Sequence, residues 1–127
     1  MALLLDTSML IDAERKGVLV AEEDEAVLPA TAVMEYMKGV ERAESGARRE
    51  KRLEFLETIF ERAEVLPFTG ATAKIAARIW ADLVRAGTPL SNEDIQIAAT
   101  AIEHDLKLAT LNVKDFARIE GLQLAGG

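Results

Sequence analysis

Cysteine is missing from this 127-residue chain, and histidine occurs once, at His104. The first absence excludes disulfides and thiolate metal sites. The second excludes a multi-histidine zinc centre, so any hard-cation chemistry falls to carboxylates. Long apolar runs are missing too: nothing approaches a membrane span, and the N-terminus lacks the basic region and long apolar segment of a secretory signal. The chain therefore reads as cytoplasmic. No internal repeat, low-complexity tract or Pro/Gly/Ser linker divides it. With half its residues hydrophobic, residues 1–127 are expected to form a single domain with a real core. Positive charge is scarce, 15 Lys and Arg against 22 Asp and Glu, for a formal net charge of −7. That balance argues against a nonspecific nucleic-acid coat protein, but says little about a local site where metal ions offset clustered acids.

What the sequence does contain is an alternation of short strands and longer helices. Ala2 to Leu5 is an apolar run that fits a buried strand, and Met9 to Lys16 with Gly17 behind it reads as a helix with a glycine stop. "AEEDEA" follows as a solvated loop, and "AVLPAT" as a second strand. Thr31 is placed to cap a helix running through "AVMEYMKGVERAE" to Gly46. In "RREKRLEFLETIFERAE", Leu53, Leu56, Ile59 and Phe60 recur at helical spacing among charges, so one face packs and the other is wet. Val65 and Leu66 suggest a short strand. "GATAKIAARIWADLVRAG" carries Ile75, Ile79 and Leu83 four apart, with Trp80 alongside and Gly87 closing the helix. "SNEDIQIAATAIEHDL" puts Ile95, Ala98, Ala99, Ile102 and Leu106 on one stripe, and "LKLAT" and "LQL" read as closing strands around "NVKDF". The pattern is α/β with a parallel sheet.

In such sheets ligands bind beyond the carboxyl ends of the strands, which is where Asp6 stands in "ALLLDTSMLID". A strand-to-helix turn also wants an N-cap, so cap and catalyst compete evenly for Asp6. Glu35 sits inside a helix with the small Ala32 and Gly39 at i−3 and i+4. It is either a solvated glutamate or one closely approached by another element, because an interior glycine costs roughly 1 kcal/mol against alanine. Asp94 completes a capping-box pattern with Ser91, yet the small Ala98 and Ala101 one turn on would let it face a cleft. Asn112 and Asp115 either cap a short helical turn or sit after a strand beside Asp6.

Taken in order, "LLLDTS", the mid-helix glutamate of "TAVMEYMKG", the aspartate leading "EDIQIAATA" and the late "ATLNVKDFARIEGL" resemble the PIN-domain ribonucleases. Among these, the chain is most similar to the VapC-like toxins of bacterial and archaeal toxin-antitoxin pairs. The segments span nearly the whole chain. The resemblance implies a PIN-like three-layer α/β/α domain with a short central, mainly parallel sheet. It matches Asp6, Glu35 and Asp94 to three acids of a divalent-metal site and Asp115 to a more variable fourth. Asn112 matches a common polar position, and Thr7, Ser8 and Thr110 match bordering hydroxyls. Leu111 departs from the frequent polar residue there. The resemblance further implies an RNA substrate, a homodimer, and a small antitoxin whose basic tail enters the acidic cleft.

Clustered carboxylates repel and raise one another's pKa values unless a cation binds among them. Mg²⁺, or Mn²⁺ in its place, would relieve that conflict and suit phosphodiester hydrolysis. Asp6, Glu35 and Asp94 are expected to hold one ion, with Asp115 and Asn112 orienting water or assisting a second. Arg48, Arg49, Lys51 and Arg52 form the densest basic cluster. It either tracks phosphates or, the more economical reading, pairs with Glu50, Glu54 and Glu57. Met34, Tyr36, Met37 and Trp80 read as core or interface residues, Asp12 as a helix-surface acid, and His104 as exposed and without a catalytic role. Two alternatives stay open. One is a haloacid-dehalogenase-like phosphatase using Asp6 as nucleophile, although Ser8 stands where that family usually has a second aspartate. The other is a noncatalytic binding domain.

Overall fold

Leu4 and Leu5 are both fully buried, although successive side chains of a strand point to opposite faces. The sheet they belong to is therefore covered on both sides, as an all-parallel sheet requires. The computed structural model describes residues 1–126. Its elements run β1 (Ala2–Leu5), α1 (Thr7–Lys16), β2 (Glu25–Pro29), α2 (Ala30–Glu41), α3 (Gly46–Phe60), β3 (Glu64–Leu66), α4 (Gly70–Ala86), α5 (Asn92–Glu103), β4 (Lys107–Ala109) and α6 (Val113–Phe116). The strand order is β3-β2-β1-β4, and all three pairings are parallel. Leu4 lies opposite Val27 on one side and Leu108 on the other. The expected three-layer α/β arrangement is what forms.

The sheet grows outward from β1 in one direction through β2 and β3, then resumes on its other side with β4. In parallel sheets such a reversal, here beyond the carboxyl ends of β1 and β4, is where ligands bind. Helix α5 packs against α2 and α4. It is buried more widely than a single stripe: Ile95, Ile97, Ala98, Ala99, Thr100 and Ala101 are all inaccessible. Five consecutive buried residues exceed one turn of helix, and three alanines among them let neighbouring elements approach from several directions.

Glycine stops fall where expected: Gly17 and Gly87 adopt left-handed φ values of 75° and 72° and cap α1 and α4. Other boundaries differ from expectation. Thr31 does not cap α2; the helix begins at Ala30, behind Pro29, and Thr31 is buried inside it. Gly46 is not a stop either. Helix α2 ends at Glu41, and Gly46 opens α3 behind Ser45, whose hydroxyl accepts from the Arg48 N–H at 3.2 Å. Glu25 and Ala26, the end of "AEEDEA", pair with β1 instead of lying in a loop. "LQL" contributes a single bridge, Leu124 to Leu108, and no strand.

Tyr36 is buried as expected, but Trp80 is 54% exposed and Met34 45%, so neither belongs to the core. The basic cluster finds partners other than the glutamates of its own helix. Arg49 pairs with Glu41 at 2.9 Å, and Arg52 donates to the Gly39 carbonyl at 2.7 Å. That contact brings α3 beside the Glu35 turn, but it is not the close approach that would call for a glycine there. It comes from a flexible side chain, and a Cβ at Gly39 would meet only Arg52 Nη1, at 3.8 Å.

Candidate active site

Asp6 follows β1 directly, where the chain turns into α1. The competing readings of this residue prove compatible: its Oδ1 accepts the Met9 N–H at 3.1 Å, making Asp6 the N-cap of α1, while its carboxylate also anchors the site. The cap does not pass to Thr7 or Ser8, whose hydroxyls serve carboxylates instead. Ser8 donates to Asp6 Oδ1 at 2.6 Å, and Thr110 donates to Asp6 Oδ2 at 2.5 Å. Each hydroxyl is in turn fixed by a backbone N–H from the turn after β4: Leu111 N to Ser8 Oγ at 3.1 Å and Asn112 N to Thr110 Oγ1 at 2.9 Å. Both oxygens of this buried acid are thus held by relays ending in main chain. Leu111 contributes its N–H to this network, so an apolar side chain there costs it nothing.

Glu35 projects from the second turn of α2, and its Oε1 accepts from Thr7 Oγ1 at 2.7 Å. Asp94 lies in the first turn of α5, where Ser91 accepts its backbone N–H at 3.1 Å. Burial pushes the Asp94 carboxyl above the usual carboxylate range. A hydrogen bond from Ser91 opposes that shift, and the negative charges of Glu35, Asp6 and Asp115 add to it. Glu35, Asp6 and Asp115 therefore all act electrostatically on Asp94, although the four come from different elements or turns. Asp115, in α6, is balanced locally by Arg118 at 3.2 Å. Asn112 occupies the N-cap position of α6 without a side-chain cap bond and is exposed. Arg118 was not anticipated; the i,i+3 spacing to Asp115 was the available signal.

Among the described residues, no group of three or more Asp, Glu or His side chains converges closely enough to enclose one ion directly. Mg²⁺ does not need such a cage, since it keeps several waters and takes one or two carboxylates. The donor set fits it. Oδ1 of Asp6 already accepts two hydrogen bonds, whereas Oδ2 accepts one and keeps a lone pair free. Glu35 likewise has Oε2 beyond the oxygen engaged by Thr7.

A parallel α/β domain with acids gathered at its strand-order reversal defines a class of site suited to a polyanionic phosphodiester substrate and a divalent ion. The comparisons narrow the class. The chain belongs to the PIN domain family, whose model matches residues 3–122. Ribonuclease VapC1 of Rickettsia felis is 37% identical over 127 residues, covering 98% of this chain and 95% of that relative. The tRNA(fMet)-specific endonuclease VapC of Salmonella typhimurium is 32% identical over 97 residues, 76% of this chain and 71% of the relative. The crystal structure of DNA-bound VapBC from Salmonella typhimurium matches with a TM-score of 0.83 at 27% identity, covering 98% of this chain and 96% of that one. Membership of the PIN family overturns the haloacid-dehalogenase alternative for "LLLDTS".

Proposed function

We propose that this protein is a metal-dependent endoribonuclease that hydrolyses RNA phosphodiester bonds. In this reading it is the toxin of a toxin-antitoxin pair, held inactive by a cognate antitoxin. The observation that carries the catalytic part is the anchoring of Asp6 by Ser8 and Thr110 and of Glu35 by the adjacent Thr7, at a place where the charges of Glu35, Asp6 and Asp115 also bear on Asp94. Negative charge accumulated at a strand-end crevice destabilises the site by itself and favours a bound cation. Relatives named as VapC ribonucleases support the choice of RNA, and VapBC complexes among the structural neighbours support an antitoxin partner. The partner would present basic groups to the acidic crevice, and the toxin would act as a homodimer.

Asp6, Glu35 and Asp94 would hold Mg²⁺ or Mn²⁺, in part through waters the ion retains, with Asp115 as the outer acid. When bound, such an ion acidifies an attacking water and offsets charge on the phosphate. The residues of the chain supply the rest. Ser8 and Thr110 keep the Asp6 carboxylate from rotating, so its Oδ2 lone pair keeps one direction. Thr7 does the same for Glu35. Asp115 and Asn112, at the rim, orient water toward the phosphorus, and release of Asp115 from Arg118 leaves a guanidinium free for a phosphate. Fixing these groups before substrate arrives lowers the barrier without reorganisation.

The direct test is cleavage of end-labelled RNA by purified protein with Mg²⁺ or Mn²⁺ and with chelator. Cleavage is expected only with metal. It is expected to vanish in Asp6→Asn and Asp94→Asn variants that retain native circular dichroism. Undiminished cleavage by Asp6→Asn would remove the assignment, and a wild type without nuclease activity would leave a binding domain in its place.

A further inference from the structure

Thr31 and Gln96 form a partly buried polar contact that neither the sheet nor the carboxylate network accounts for. Thr31 is 5% exposed, and its Oγ1 donates to Gln96 Oε1 at 2.9 Å across 65 residues of chain. It sits one helical turn before Glu35 on the same face of α2. Gln96 lies two residues after Asp94 in α5. A buried hydroxyl bonded to a half-buried amide contributes little net stability beyond what an apolar pair of the same shape would supply. Their satisfied hydrogen bond does define one register of α2 against α5.

A second link joins the same helices farther out, Lys38 Nζ to Glu93 Oε1 at 3.9 Å, with the lysine side chain 51% exposed. Thr31 and Lys38 bracket Glu35 on α2, while Glu93 and Gln96 bracket Asp94 on α5. The outer pair is long and solvated, and such pairs constrain geometry weakly. The inner bond is therefore the one able to set the separation of the two acids. A shift of one helical rise along the axis, without rotation, moves a side chain by about 1.5 Å, a scale on which misplacement costs catalysis heavily.

We infer that Thr31 and Gln96 are positioning residues: their hydrogen bond sets the spacing of Glu35 from Asp94 and so tunes divalent-ion affinity. The inference rests on the proposed metal-dependent nuclease. Groups that orient ligands from outside the coordination sphere are typically worth about 10–100-fold in metal affinity. The contact acts through two helices, which places it at the lower end.

The test measures Mn²⁺ affinity by calorimetry on metal-free protein, with thermal unfolding in parallel. It compares the wild type with Thr31→Val, Thr31→Ser, Gln96→Leu and the Thr31→Val/Gln96→Leu double variant. Each of Thr31→Val and Gln96→Leu is expected to weaken Mn²⁺ about tenfold, the double variant no more than either single, and Thr31→Ser to stay near the wild type. Should Thr31→Val fail to fold, Gln96→Leu against the wild type carries the same comparison. Lowered thermal stability with unchanged Mn²⁺ affinity, or additive losses in the double variant, overturns the inference alone. A wild type that takes up no Mn²⁺ overturns the metal reading itself, and the inference with it.

Discussion

Thr110 Oγ1 donates to Asp6 Oδ2 at 2.5 Å, joining residues 104 positions apart. The bond ties together the exits of β1 and β4, and the Asn112 N–H holds the hydroxyl in place. Replacing Thr110 with valine keeps the volume and leaves a buried carboxylate oxygen without its donor. We expect RNA cleavage to fall at least about tenfold and stability to fall by about 1–3 kcal/mol, measured by single-turnover cleavage and urea unfolding.

Asp6 combines a helix cap with a site charge, and two substitutions separate the roles. Asparagine still caps a helix; alanine does not. Both are expected to lose cleavage, while Asp6→Ala should be less stable than Asp6→Asn by about 1 kcal/mol. Equal urea midpoints for the two variants would contradict the capping role.

Burial, reinforced by the charges of Glu35, Asp6 and Asp115, raises the Asp94 pKa in the folded state above that of the unfolded chain. The folded protein therefore holds this proton more tightly than the unfolded chain. Stability linked to Asp94 is complete below the unfolded value and is lost as pH rises through the raised folded one. In chelator, the melting temperature of the wild type should decline relative to Asp94→Asn across that window. Added Mg²⁺ should reverse the order at neutral pH by binding the folded wild type alone. Parallel melting curves with and without Mg²⁺ would show neither effect to exist.

Gly39 lies in the interior of α2, and a Cβ there would meet only the end of a flexible arginine at 3.8 Å. Gly39→Ala should therefore stabilise the protein by about 0.5–1 kcal/mol, with Arg52 keeping its bond to the residue 39 carbonyl. A loss of stability in thermal unfolding would show that the helix needs the glycine for some other reason.

Features encoded locally were legible in the sequence. Gly17 and Gly87 end helices because a left-handed residue is needed there, and Asp6 marks a strand exit because an acid follows four apolar residues. Thr31 was misread for the opposite reason. Its partner, Gln96, is 65 residues away, and no local pattern distinguishes a threonine that caps from one that reaches across to another helix. The boundary at Gly46 failed similarly, since a glycine beside Ser45 serves a stop or a start equally well until the next helix is seen. The acids were recognisable only as an ordered set. The relays holding Asp6 draw on the backbone N–H groups of Leu111 and Asn112, which no side-chain pattern reports.

β1 precedes the other three strands in the sequence, and it becomes an interior strand of the sheet only when β4 pairs beside it. Until residues 107–112 have emerged, Asp6 lacks both its main-chain contact with Ala109 and the Thr110 hydroxyl. A nascent chain thus carries most of its fold while its crevice is still open on one side, and pairing over so long a separation is slow. The acid site is completed by two segments far apart in the chain, and Asp6 is held on both oxygens only once β4 has paired beside β1.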